Sequence, residues 1–199
     1  MFARMAVLLS LVSLAAVAGC QATTPAGPVT ATAAQPGWEK GPVVGLAAPR
    51  IDFTAQDGKP RSVRGNTGWI TLIAFVQTEG KECDYLLPVL VDAAGRYFNQ
   101  PVRVVQIAEP IGSCPHCEAC VEAGHAHLLH LMALCDPQHQ AYGAFGRPVP
   151  GTLLLVGSNG KVLEVGKVDE VAKLYPKLDG LTASVERQSL PLYLQTYTE

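Results

Sequence analysis

The sequence predicts an α/β domain with a mixed central sheet and helices on both faces, and three observations predict it. Two continuous apolar runs rich in β-branched residues, WITLIAFV at 69–76 and VRVVQIAE at 102–109, read as buried central strands. Between them, CDYLLPVLVDAAGRYF at 83–98 carries apolar residues at helical spacing. Near the end, TLLLVGSNGKVLEV at 152–165 offers two strands joined across Asn159-Gly160, where glycine accepts the positive φ of a tight turn. A strand, helix, strand, helix order closed by a hairpin and a last helix mixes parallel with antiparallel pairing.

Taken in chain order, the elements begin with a turn at Ala48-Pro49 and a short strand at Ile51–Thr54. Asp57-Gly58 is a hairpin signal, so this region reads as an N-terminal β-hairpin extension of the sheet. The helix at 83–98 contains Pro88, which predicts a kink because proline removes one helical hydrogen bond. A second helix is expected within 118–130, a short strand at 131–135 and a helix over 137–146 that ends on Gly146. VDEVAKLYPKL at 168–178 reads as the terminal helix.

The N-terminus, MFARMAVLLSLVSLAAVAGC, has an early Arg4 and an apolar run too short for a permanent bilayer span, so residues 1–19 read as a secretory signal. Val17-Ala18-Gly19-Cys20 resembles the lipobox of bacterial lipoproteins, which implies a lipid on Cys20, with Gln21 favouring the outer membrane. The expected location is the bacterial cell envelope, facing the periplasm or the exterior. Residues 20–40 are rich in Ala, Thr and Pro and read as a tether, leaving 41–199 as one domain with a Cys/His-rich insertion at about 110–130. A hydrophobic content of 48% agrees with a packed core. The net charge of -2 is scattered, with no basic stripe for phosphates, so nucleic acid is not an expected partner. No oligomeric state is implied.

The order of elements, together with certain residues, resembles the thioredoxin-like superfamily, and within it the exported redoxin and TlpA-like branch. FVQTEGKEC aligns without a gap with that family's FWATWCxxC, matching Phe75 and Thr78, and Cys83 with Pro88 matches its cysteine-to-proline step. RPVPGTLLLVGSNGK is similar to the family's cis-proline segment and following strand, which implies a cis Pro150 that shapes a substrate groove. The resemblance spans roughly residues 43–180. The family's attacking cysteine falls on Gly80, so a two-cysteine exchange within Gly80-Lys81-Glu82-Cys83 is ruled out.

Five cysteines remain once Cys20 is lipidated, namely Cys83, Cys114, Cys117, Cys120 and Cys135, and an odd number leaves a free thiol, an intermolecular partner or a metal ligand. Three readings stay open. In the first, GSCPHCEACVEAGHAH at 112–127 holds a relocated redox pair. Cys114-Pro115-His116-Cys117 resembles the motif of DsbA-type oxidants, which implies that His116 tunes the thiolate. Cys114 or Cys117 then attacks, Cys83 or Cys120 resolves, protein thiols or disulfides are the partners, and no cofactor is required. In the second, Cys114, Cys117 and Cys120 with His125, His127 or His130 hold Cu(I) or Zn. In the third, the cysteines are static staples of an interaction module.

Other spellings of these letters fit less well. A ferredoxin cluster needs a cysteine where Gly124 stands, and the peroxiredoxin signature before Cys83 is missing, since its positions hold Gly80 and Val76. The resemblance to Sco-type copper-assembly proteins lacks their first cysteine and the histidine near Pro150. Cys135 reads as a buried apolar residue or a disulfide partner, and His139 as solvated.

Overall fold

The computed structural model describes residues 30–31, 36–54, 60–63, 68–77, 81–109, 131–136 and 138–186. A small antiparallel sheet holds β1 (Thr30–Ala31), β2 (Ile51–Thr54) and β3 (Pro60–Val63), so the expected N-terminal hairpin pairs, with Thr54 opposite Pro60. The main sheet comprises β4 (Ile70–Gln77), β5 (Val102–Glu109), β6 (Leu131–Cys135), β7 (Thr152–Val156) and β8 (Val162–Lys167), in the spatial order β6-β5-β4-β7-β8. β4 runs parallel to β5 and β5 to β6, while β7 is antiparallel to both β4 and β8. The parallel step from β4 to β5 needs a crossover, and α1 (Lys81–Arg96) supplies it. The antiparallel step from β7 to β8 needs only a turn, in which Gly160 takes a φ of 78° and Asn159 Oδ1 accepts from the Lys161 amide.

The continuous apolar runs are explained by burial on both sides of the sheet. Leu72, Ala74 and Val76 of β4 join Leu86, Leu90 and Ala93 of α1, and Tyr97 just after it, in one core, whereas Ile73 and Phe75 face the other. That second core contains Tyr142 of α2 (Gln140–Ala144), Phe145, Trp38 and the hairpin residues Ile51, Phe53 and Val63. Helices therefore lie on both faces, as the sequence predicts.

Three local expectations are corrected. The helix at 168–178 is split into a 3-10 segment, Val168–Leu174, and α3, Tyr175–Glu186. Pro176 has no N–H to bond back across that junction, and proline is tolerated in a first turn, so a new helix starts there. The tether expected over 20–40 ends early, because Trp38 is fully buried against Phe145 and β1 pairs with β2. Apolar burial of an indole outweighs the Ala/Thr/Pro composition around it. Close approach is secured by Gly146, where a Cβ would meet the Trp38 carbonyl oxygen at 1.8 Å and φ is 71°.

The third correction concerns Pro150. No cis peptide occurs among the described residues, so the Val149–Pro150 bond is trans. The Thr152 amide donates to the Val149 carbonyl at 3.0 Å, and Gly151 has a φ of 83°. Proline followed by a positive-φ glycine is the pattern of a type II turn, which makes the reversal with a trans bond.

Candidate functional site

The carboxyl ends of the three parallel strands define one rim. Gln77, the last residue of β4, pairs in register with Glu109, the last of β5, and Ala108 pairs with Cys135, the last of β6. Loops after such ends open on the same edge, which is where open α/β sheets hold their ligands. α1 begins just beyond β4 and has Cys83 as its third residue. In the sequence the Cys/His-rich stretch follows Glu109, the last residue of β5. On the other side of β4, the Gly151 amide donates to the Phe75 carbonyl at 2.6 Å, which ties the Pro150 turn to the same rim.

Between these features lies a polar cluster built on Asp136, whose side chain is fully buried. A buried carboxylate needs hydrogen-bond donors, and here its Oδ1 accepts from the Gln140 amide at 2.8 Å and its Oδ2 from the Tyr142 amide at 2.9 Å. These amides belong to the first turn of α2, where no helical acceptor exists for them. The Asp136 amide itself donates to the Ala108 carbonyl at 2.9 Å, and the Tyr142 hydroxyl donates to the Val76 carbonyl at 2.9 Å. One acid thus joins β5, β6 and α2, and through Tyr142 it reaches β4.

His139 precedes α2 in a left-handed conformation, with φ 53° and ψ 28°. Its Nδ1 lies 2.8 Å from Glu109 Oε1, so the imidazole is anchored across the rim by the last residue of β5. The two side chains are 48% and 23% exposed, which leaves the ring reachable from solvent. Sequence reasoning missed this pair and read His139 as solvated. The available signal was a lone carboxylate ending an apolar strand and a histidine three residues after the aspartate that follows another.

Of the residues singled out from sequence, Pro150 sits at the rim and is half-buried. Cys83 and Cys135 are placed there by their backbones, at the start of α1 and the end of β6; their side chains are outside the described residues. Cys20, Cys114, His116, Cys117, Cys120, His125, His127 and His130 also lie outside the described residues, as does the helix expected within 118–130. Among the described residues no group of three His, Cys, Asp or Glu side chains is arranged to hold a metal, and no helix is long and apolar enough to cross a membrane.

A mixed five-stranded sheet with this strand order, covered by helices on both faces, defines a thioredoxin-like fold. Solved structures agree. A protein of Neisseria meningitidis designated a thioredoxin is 26% identical, with 74% of this chain and 93% of that chain covered at a TM-score of 0.56. The thioredoxin domain of a thiol-disulfide oxidoreductase from Bacteroides vulgatus is 15% identical, with 70% and 98% covered at a TM-score of 0.54. BsSco, of the Sco family of cytochrome c oxidase assembly proteins and described as carrying a disulfide switch, is 17% identical, with 74% and 97% covered at a TM-score of 0.52. The sequence matches no protein-family model and no curated protein.

Proposed function

We propose that this chain carries out thiol-disulfide exchange at the carboxyl rim of its sheet, as a lipid-anchored protein of the bacterial cell envelope. The observation that carries the reading is the register of β4 with β5: Gln77 and Glu109 end side by side. The helix bearing Cys83 and the segment bearing Cys114, His116 and Cys117 therefore start from adjacent points of one rim, with the Pro150 turn alongside. Structural neighbours that are thiol-disulfide oxidoreductases support the same chemistry.

In the exchange, the thiolate of Cys114 or Cys117 attacks one sulfur of a substrate disulfide, and the other substrate sulfur leaves as a thiol. A second thiol of this chain, Cys83 or Cys120, then attacks the mixed disulfide and releases the reduced substrate. Two electrons pass from protein to substrate, and the reverse sequence oxidises a substrate dithiol. His116 holds the attacking sulfur as thiolate, and the trans Pro150 turn forms one wall of the approach. The lipid on Cys20 and the signal at 1–19 put this rim outside the cytoplasmic membrane, where disulfides persist.

The test is the reduction of a peptide disulfide by the prereduced full chain, compared with Cys114→Ser and Cys117→Ser. Loss of at least about a hundredfold in rate is expected in the variant that removes the attacking thiol. Variants that keep the parent rate would overturn the reading. One equivalent of Cu(I) bound tightly, lost in Cys117→Ser and accompanied by no exchange in the parent, would instead support metal delivery.

A further inference from the structure

Resting on the exchange reading above, we propose that His139 is the proton-transfer residue of the rim and Glu109 its positioning residue. The geometry is that of an oriented base. Nδ1–H donates to Glu109 Oε1 at 2.8 Å, which fixes the ring and directs the second nitrogen, Nε2, away from the carboxylate. Nε2 has no hydrogen-bond partner among the described residues, and with the side chain 48% exposed it is open to an arriving thiol.

Stability does not account for this arrangement. A solvent-reachable contact between side chains 48% and 23% exposed adds little, and the left-handed backbone of His139 is unfavourable for a residue with a Cβ. The conformation is imposed from outside: the His139 amide donates to the Asp136 carbonyl at 3.0 Å, and the Gly143 amide donates to the His139 carbonyl at 2.8 Å. Strain held in place by neighbours at a rim of this kind marks a functional position. The same Asp136 that caps α2 thus aims the imidazole.

The proton balance is closed. The resolving thiol, which His116 does not hold as thiolate, gives its proton to Nε2 as it attacks the mixed disulfide, the new S–S bond forms and the old one breaks, and the displaced substrate thiolate takes that proton back. Each step passes the electron pair between sulfurs and leaves the imidazole as it began. Among the described residues, Glu109 on β5 is the charged group in contact with His139, and Asp136, just after β6, has both oxygens bonded to amides. α2 itself carries no charge.

The experiment compares the full chain with His139→Asn and Glu109→Gln, following exchange with glutathione disulfide from pH 5 to 9. Asparagine tolerates the left-handed conformation and has no titrating nitrogen, so the backbone is kept while the base is removed. His139→Asn is expected to be about tenfold or more slower at neutral pH, with the deficit shrinking toward pH 9 as thiols ionise without help. Glu109→Gln is expected to lower kcat with KM unchanged, which also tests the proposal if the asparagine variant fails to fold. An active parent whose profile is overlaid by both variants overturns this proposal alone. A parent with no exchange at any pH overturns the exchange reading and this proposal with it.

Discussion

Replacing Asp136 with alanine strands two amides at once, those of Gln140 and Tyr142, because both are bonded to this one carboxylate and neither has a helical acceptor. The side chain is fully buried, so water does not readily replace it. The combined loss of a cap and of buried hydrogen bonds is expected to cost roughly 2–4 kcal/mol, read as a fall in the urea midpoint with unchanged slope. Asp136→Asn keeps one acceptor oxygen and is expected to lose about half as much. A melt of the alanine variant indistinguishable from the parent's would mean that α2 does not depend on this acid. None of this is visible in the letters CDPQHQ, which show an aspartate near a helix start but not that it is buried. The same limit hid the Glu109–His139 pair, because two residues thirty positions apart meet only when β5 and β6 lie in register.

At the scale of elements, the strands were readable from sequence because burial on both faces writes itself as an unbroken apolar run, as in β4 and β5. Turn geometry was less readable. The conformation at Pro150 is set by Gly151 and its bond to Phe75, a partner some seventy-five residues earlier. The junction of α1 with α3 shows another long-range device. The Tyr97 hydroxyl donates to Asp179 Oδ1 at 2.8 Å, Arg96 lies 4.6 Å above the Tyr175 ring, and the Tyr175 hydroxyl donates to Asp92 at 3.2 Å. Burial, reinforced by the bond to Asp179, pushes the Tyr97 hydroxyl up to about 12. Burial and the Asp92 charge push Tyr175 in the same direction.

A phenol whose folded pKa exceeds its unfolded value stabilises the fold fully below the unfolded pKa, near 10, and loses that contribution as pH rises through the folded one. For Tyr97 the window is therefore about pH 10 to 12, and the loss across it is on the order of 2 kcal/mol. Urea unfolding at pH 9 and pH 12 should show that decline in the parent and a shallower one in Tyr97→Phe. Equal slopes in the two proteins would remove Tyr97 as the cause.

For the molecule as a whole, the decisive question is where the folded unit begins. Composition alone assigns residues 20–40 to a tether, yet an aromatic cluster more than a hundred positions away claims Trp38. Trp38 stands edge-on to Phe145 at 5.2 Å, and Phe145 stands 5.2 Å from Phe75 of β4, so the strap reaches the centre of the second core. Beyond it, the Gly45 amide donates to Val162, the Val162 amide to Leu46 and the Ala48 amide to Gly160, which covers the start of the edge strand β8. A chain beginning at residue 36 keeps all of these contacts and, among the described residues, gives up only the two-residue β1. Its melting temperature is expected to stay within about 5 °C of the full chain, because so short a strand contributes little. A chain beginning at residue 50 loses the indole from the core, a change worth roughly 3–5 kcal/mol, and exposes the β8 edge. At this domain size that corresponds to a drop of about 10 °C or more, together with a greater tendency to aggregate through the uncovered edge. Calorimetry of the two truncations decides the matter. If the shorter chain melts with the longer one, the strap is an ornament on a core that closes without it, and the domain begins at β2.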